Sequence, residues 1–181
     1  MLPSADSSTL AALDYLPYIS ANGQLPEQFA SKVGIYAIYD QEKCLQFVGY
    51  SRDIFMSLQQ HLVRCPNQCC WIKVETVSQP NRTLLETIRD AWIAENGLIP
   101  SGNLSHATQW TQPIDIKIQM TAEERAAYQA VTNETDHAKT LKKIARRVEA
   151  EILAILQDRG LKTPLRFDPK LKEQGLLNIK P

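Results

Sequence analysis

The stretch Val33-Gly-Ile-Tyr-Ala-Ile-Tyr39 predicts a β-strand, because it alternates and is rich in residues that favour strands. After the polar turn at 40–43, Cys44-Leu-Gln-Phe-Val-Gly49 predicts the returning strand of a hairpin. Ser51 is the predicted N-cap of a helix that carries apolar residues on one side and ends before Pro66. A hairpin followed directly by a helix is therefore the unit from which the fold is built.

The residues that follow extend this unit to a small α/β domain over 32–104. Residues 71–77, Trp-Ile-Lys-Val-Glu-Thr-Val, alternate and predict a third strand. Asn81 can cap a second helix, which ends before the loop at 97–102. The order β-β-α-β-α predicts a mainly antiparallel three-stranded sheet flanked by helices.

Two further segments flank this core. Residues 1–31 are predicted to form a leader helix and loop, since Leu10, Leu13 and Leu16 fall at helical spacing. Residues 105–181 are predicted to form an α-helical extension packed on the core and to end in an extended, docked tail. Within the extension we expect a strand at 114–118, a helix opened by a capping box at Thr121, and a longer helix from about residue 136. The longer helix places five residues on one apolar arc: Leu141, Ile144, Val148, Ile152 and Ile155.

Composition restricts the classes of partner and compartment. The 181 residues include 20 bases and 20 acids, so the net charge of zero gives no argument for a polyanionic partner. A basic bias appears only after residue 104, where thirteen bases stand against ten acids. Four cysteines are too few for a disulfide scaffold. With no membrane-length apolar run and no evident secretory signal, we expect a cytosolic (cytoplasmic) protein without a membrane segment.

Two tripeptides of the hairpin, Gly34-Ile35-Tyr36 and Phe47-Val48-Gly49, resemble the paired motifs of the GIY-YIG nuclease superfamily. The resemblance extends to His61 on the first helix and Asn103 in a Pro-Ser-Gly-Asn loop. It implies phosphodiester cleavage with one divalent metal ion, Mg²⁺ or Mn²⁺. In the family the first-motif tyrosine helps to activate the attacking water, and Tyr36 takes that place. His61 matches a histidine or tyrosine that is common in the family.

Three positions depart from the family pattern. The second-motif tyrosine is Phe47, which lacks the hydroxyl. Ser57 stands where an arginine normally meets the scissile phosphate, and Arg89 stands where a glutamate normally binds the metal. Candidate substitutes are Arg64, on the helical face of Ser57, and Glu86, which shares a face with Arg89.

The run from Val33 to Asn103 also resembles the GIY-YIG-like domain that precedes a monothiol glutaredoxin in plastid proteins, a relative that shares the phenylalanine variant. No Cys-Gly-Phe-Ser motif occurs, so a glutaredoxin half is not expected. The resemblance implies a stand-alone protein of cyanobacterial or plastid lineage.

The leading hypothesis is a degenerate GIY-YIG nuclease-family protein that binds nucleic acid, DNA or RNA, or a protein partner, with weak or lost cleavage. The candidate residues are Tyr36, His61 and Arg64 for catalysis, Arg52, Asn103, Lys139, Lys143 and Arg146 for nucleic-acid binding, and Glu86 for the metal. One alternative is a slow divergent endonuclease that uses Tyr36, Glu86 and a divalent metal. The other is a thiol-responsive interaction module.

Two features allow more than one interpretation. Cys65, Cys69 and Cys70 follow His61 closely but lack the paired Cys-x-x-Cys knuckles of a zinc site. They are interpreted either as redox-sensitive thiols or as small hydrophobic residues beside Trp71. The basic side of the long helix is either a phosphate contact or an ordinary solvated face.

Overall fold

A computed structural model describes residues 8–181, so residues 1–7 of the predicted leader lie outside the described part. The strands are β1 Leu16–Pro17, β2 Gly34–Tyr39, β3 Leu45–Ser51, β4 Trp71–Thr76, β5 Ile114–Asp115 and β6 Leu176–Leu177. The helices are α1 Ile54–Arg64, α2 Arg82–Asn96, α3 Ala107–Thr111, α4 Ala122–Ala130, α5 Glu134–Asp158 and α6 Pro169–Glu173. Short 3₁₀ turns occupy Leu10–Ala12, Glu27–Phe29, Ser101–Asn103 and Ile116–Gln119.

The main sheet has four antiparallel strands in the order β1-β4-β2-β3. Strand β2 lies inside the sheet, and all six of its residues are buried. Tyr36 of β2 lies opposite Gly49 of β3 on one side and Val74 of β4 on the other. The α/β prediction and the order of the core elements are therefore confirmed, and the short strand β1 is added at one edge.

The glycines of the two tripeptides are required by close approach. A Cβ atom at Gly34 would lie 2.1 Å from the Glu75 carbonyl oxygen of β4. A Cβ atom at Gly49 would lie 2.6 Å from the Phe47 ring and 2.8 Å from the Tyr36 hydroxyl. Both distances are far below a van der Waals contact, so a side chain at either position would displace its neighbours.

Layers cover both faces of the sheet. One face carries Ile35, Ala37 and Tyr39 of β2 and packs on α2 through Leu85, Ile88 and Trp92, together with Leu10. The other face carries Tyr36 and Ile38 and packs on α1. The alternation of β2 explains this division, because successive side chains of a strand point to opposite faces.

The C-terminal extension shares the second of these cores. Four residues of the predicted apolar arc are buried there: Leu141, Ile144, Val148 and Ile152. The tail adds Phe167, Leu177 and Ile179 to the same cluster. The extension is thus docked on the hairpin and α1, as the sequence predicts.

The predicted leader helix is wrong over the described residues. Only a 3₁₀ turn at Leu10–Ala12 forms there, and Leu16 belongs to β1. The amides of Leu10 and Ala11 donate to the Glu95 carboxylate at 2.7 Å, and Lys73 Nζ donates to the Leu10 carbonyl at 2.9 Å. Bonds to α2 and β4 replace the bonds that a helix would make along itself.

Two details of the extension also differ from expectation. The strand predicted at 114–118 ends at Asp115, whose carboxylate accepts from the Lys117 amide and starts a 3₁₀ turn. The tail is docked but not wholly extended, since α6 begins at Pro169 with Asp168 as its N-cap. Proline is favoured at the first helical position because its missing N–H is not needed there.

Within residues 8–181, no helix combines the length and the apolar character needed to cross a bilayer.

Candidate functional site

An open cavity of about 350 Å³ lies where the two tripeptides, α1, α2 and the turn before α3 meet. It is lined by Tyr36, Phe47, Val48, Gly49, Tyr50, Ser57, Gln60, His61, Arg64, Arg89, Gly102, Asn103, Ala107 and Thr111. Four candidates from the sequence, Tyr36, His61, Arg64 and Asn103, therefore lie together.

Tyr36 and His61 form a buried pair at the cavity. The tyrosine hydroxyl lies 2.8 Å from His61 Nε2, and each residue is less than 5% exposed. Burial raises the pKa of the Tyr36 phenol well above its ordinary value. Burial, with the Arg64 guanidinium adding to it, lowers the pKa of His61 to about 3. Both groups are consequently uncharged at neutral pH.

Arg64, the last residue of α1, is a buried cation. Its side chain donates from Nη1 to the Trp110 carbonyl at 2.9 Å and from Nη2 to Asn178 Oδ1 at 3.1 Å. It is 9% exposed and makes no ion pair with any residue from 8 to 181. Burial lowers the pKa of the guanidinium. An arginine nonetheless remains protonated in proteins. A buried positive charge without a negative partner favours an anion in the adjoining cavity.

Arg89 of α2 supplies a second positive charge. Its guanidinium lies 5.6 Å from the centre of the Tyr50 ring and pairs with Asp90 at 2.8 Å. Its side chain is 31% exposed, so a ligand can reach it. No aspartate or glutamate of the described chain lines the cavity. The cavity therefore carries two guanidinium groups and no carboxylate.

Phe47 packs on an aromatic residue that lies outside the core segment. The Phe47 and Trp110 rings stack with centres 5.4 Å apart and planes 1° from parallel. The His61 ring lies 4.6 Å from Phe47 and 5.7 Å from Trp110. Phe47 has no hydroxyl, and its stack with Trp110 places an apolar surface beside the Tyr36–His61 pair.

Asn103 fixes the turn before α3 to the edge strand β3. Its Oδ1 accepts from the Val48 amide at 2.8 Å, and its Nδ2 donates to the Val48 carbonyl at 2.7 Å. The side-chain amide thus pairs with β3 as a neighbouring strand would. Its position in the cavity wall is explained by this role. A contact of Asn103 with nucleic acid stays a prediction.

Glu86, the candidate metal ligand, does not line this cavity. Its Oε1 accepts from the Tyr50 hydroxyl at 3.1 Å and from Arg82 Nε at 2.8 Å. The bond from Arg82, followed by that from Tyr50, lowers the pKa of the carboxyl group. Among residues 8–181, no group of three or more His, Cys, Asp or Glu side chains is placed to hold a metal ion. With two arginines in the cavity wall, the residues present do not fit the divalent metal that the family implies.

The remaining basic candidates are separate from the cavity. Arg52 lines another depression, between the ends of β3 and α2. On α5, Lys139 pairs with Asp136 at 3.2 Å, whereas Lys143 and Arg146 are exposed and make no ion pair with the described residues. The structure therefore does not bring these residues to the Tyr36–His61 pair.

Cys65 and Cys69 have the features of packing residues. Cys65 and Cys69 are buried, and burial raises the pKa of Cys65 to about 12 and that of Cys69 well above its ordinary value. The nucleophilic thiolate form is scarce at such values. Cys70 is partly exposed, and burial raises its pKa as well.

Sequence reasoning missed the two residues that shape the arginine side of the cavity. Trp110 and Asn178 lie 46 and 114 positions from Arg64, and no motif links them to it. Spacing along α2 predicts the place of Arg89, whereas its role as a second cation of this cavity follows from the lining, which contains no carboxylate of the described residues.

Comparison with known proteins gives a partial match. The chain is 36% identical over 101 residues to a chloroplastic bifunctional monothiol glutaredoxin of Arabidopsis thaliana. The matched segment is 54% of this chain and 33% of the relative, and it makes the chain a distant homologue of the relative's N-terminal domain. No protein-family model matches the chain. The chain spans about a third of the relative's length. Membership of the GIY-YIG superfamily stays a prediction, and so does a cytosolic location, since the relative is chloroplastic.

Proposed function

We propose that this chain is a degenerate GIY-YIG-type protein that binds nucleic acid and has lost metal-dependent cleavage. One observation carries the proposal. The cavity formed by both tripeptides retains Tyr36 and His61, but its charged groups are two arginines without a carboxylate. Such a cavity is suited to hold a phosphate and unsuited to hold a divalent cation.

The protonation states argue against cleavage. Hydrolysis of a phosphodiester requires a base for the attacking water and a charge at the leaving oxygen. His61, with its pKa lowered to about 3, is a weak base, and Tyr36, with its pKa raised by burial, rarely loses its proton. No carboxylate of the described residues reaches the cavity to hold a metal at the leaving oxygen. The cavity therefore lacks both the base and the metal ligand that the family's reaction requires.

The same groups favour binding. Arginine forms paired hydrogen bonds to phosphate oxygens, and these bonds are stronger than neutral ones because both partners are charged. Arg64 is already held by two bonds, so it loses little side-chain freedom when a ligand arrives. A longer nucleic-acid strand can make weaker contacts with basic residues outside the cavity. The candidates are Lys143 and Arg146, which are exposed on α5, and Arg52, which lies beside β3.

The test is plasmid nicking in Mg²⁺ or Mn²⁺ together with salt-dependent DNA and RNA binding on the same preparation. We expect binding that weakens as salt rises and no nicking above background. Robust metal-dependent nicking that Tyr36→Phe abolishes would contradict the loss of activity. Nicking that Glu86→Ala removes and Ser57→Arg increases would instead support the slow endonuclease.

An absence of binding to either nucleic acid would direct the search to protein partners. The thiol-responsive alternative predicts that mild oxidant changes the number of free thiols and the binding. The burial of Cys65 and Cys69 favours no oxidation of these two thiols, whereas Cys44 is exposed and serves as the internal reference for an accessible thiol.

A further inference from the structure

A second cavity, of about 570 Å³, adjoins the first. It is lined by Arg89, Asp90, Ile93, Ala94, Gly97, Leu98, Ile99 and Asn103. Arg89 and Asn103 line both cavities, so the two are adjacent. The first is cationic and the second mainly aliphatic.

Large aliphatic side chains are exposed around the second cavity. Leu98 is 79% exposed and Ile99 is 55% exposed, and both line the cavity. Exposed apolar residues that cluster beside a polar site are typical of a ligand contact. A ligand that fits both cavities has an anionic group joined to a flat or apolar body.

The charge of the first cavity favours a doubly charged anion. Arg64 and Arg89 provide two guanidinium groups as charged donors; Arg64 has no ion pair with the described residues, and Asp90, the ion-pair partner of Arg89, lines only the second cavity. A terminal phosphate carries nearly two negative charges and three acceptor oxygens at neutral pH. A phosphate inside a strand carries one charge and must let the strand leave in two directions. Two guanidinium groups therefore match a terminal phosphate better than an internal one.

We propose that the two adjacent cavities bind the phosphorylated terminal nucleotide of a nucleic-acid strand, without metal. The phosphate lies between Arg64 and Arg89, with the Tyr36 hydroxyl nearby. The base lies against Ile93, Leu98 and Ile99. This inference rests on the proposed nucleic-acid binding and specifies which part of the strand is recognised.

The test measures the affinity of short single strands in EDTA by fluorescence anisotropy. Otherwise identical strands carry a 5′-phosphate, a 3′-phosphate or only hydroxyl ends, with the label at the opposite end. We expect one phosphorylated strand to bind about tenfold tighter than the hydroxyl-ended strand. Arg89→Ala removes this difference. Arg82→Ala, which removes the same charge from the same helix outside both cavities, retains it.

The aliphatic cavity is tested by Leu98→Ser and by competitors. Leu98→Ser weakens the phosphorylated strand and leaves competition by inorganic phosphate unchanged. A nucleoside monophosphate serves as a competitor in place of the unlabelled phosphorylated strand. If it displaces the labelled strand at the same concentration, the site stands and free nucleotides are its ligands. Inorganic phosphate that does so would overturn the role assigned to the aliphatic cavity.

Two outcomes separate this inference from the proposed function. One outcome is that strands with the three kinds of end bind with the same affinity and that Arg89→Ala weakens all of them equally. In that case recognition of the terminal phosphate is wrong and nucleic-acid binding stands. If no strand binds while circular dichroism shows folded protein, both are wrong. An acidic peptide that binds more tightly than any strand would also overturn the inference.

Discussion

At the scale of single residues, His61 links the cavity to acid stability. Its pKa is lowered to about 3 in the folded chain and returns to about 6.5 when the chain unfolds. Between about pH 6.5 and pH 3, His61 is protonated in the unfolded state and neutral in the folded state. The stability contributed by neutral His61 is therefore complete above pH 6.5 and is lost as pH falls toward 3.

We expect the free energy of unfolding to fall by up to about 1.4 kcal/mol per pH unit between about pH 6 and pH 4 because of this residue. Urea unfolding across this range measures the slope. His61→Gln should give a shallower slope than the natural chain. His106→Gln serves as the control because His106 is exposed, and it should leave the slope unchanged. Equal slopes in all three proteins would contradict the burial effect.

Only some residues of the site can be predicted from the sequence. Tyr36 and His61 were predicted because both lie in a local motif, and they pair at 2.8 Å. The Phe47–Trp110 stack was not predicted, since the two residues are distant in sequence and an isolated tryptophan carries no positional signal. Motif reasoning identifies the positions of site residues, whereas their charge state depends on neighbours that only the fold supplies.

At the scale of elements, Asn103 replaces a missing strand at the β3 edge. The side-chain amide satisfies both backbone groups of Val48, which otherwise have no sheet partner on that side. We expect Asn103→Ala to lower the free energy of unfolding by about 1–3 kcal/mol, because two backbone groups lose their partners. Chemical denaturation measures the change.

The matched control for this prediction is Asn67→Ala. Asn67 is exposed, and its side chain makes no hydrogen bond with the described residues. Its replacement should change stability by less than about 0.5 kcal/mol. An Asn103→Ala variant as stable as this control would show that the amide pairing contributes nothing.

Elements whose bonds are local were predicted from the sequence, and those whose bonds are distant were not. The Thr121 capping box opens α4 as expected, because its partner Glu124 is three residues away. The leader was predicted as a helix, but its amides bond to Glu95, more than eighty positions away. The spacing of the leucines cannot show that the acceptor for these amides is the carboxylate of Glu95 on α2.

At the scale of the whole molecule, the tail takes part in the arginine side of the cavity. Asn178 accepts from Arg64 at 3.1 Å, which joins the tail to the end of α1. We expect Asn178→Asp to place a carboxylate against Arg64 and to form a buried ion pair. The variant should bind nucleic acid at least about tenfold more weakly, because it neutralises Arg64, the cavity arginine that has no ion pair with the described residues.

Thermal unfolding separates this effect from a loss of folding. Asn178→Asp should unfold at or above the temperature of the natural chain, since the new pair satisfies Arg64. The control Asn67→Asp adds the same charge at an exposed residue whose side chain makes no hydrogen bond with the described residues, so it should change neither property. Full binding by Asn178→Asp would show that Arg64 is not part of the ligand site.

The bond between Arg64 and Asn178 also sets an order of events during synthesis. A ribosome adding about 5–20 residues per second needs roughly 6 to 23 seconds to pass from one partner to the other, because 114 positions separate them. The hairpin and α1 can emerge in that time, and the bond from Arg64 to the Trp110 carbonyl can form first, because Trp110 is only 46 positions away. The second bond to the guanidinium forms only after the tail has been made, so a nascent chain will pair its hairpin before Arg64 is held on both sides.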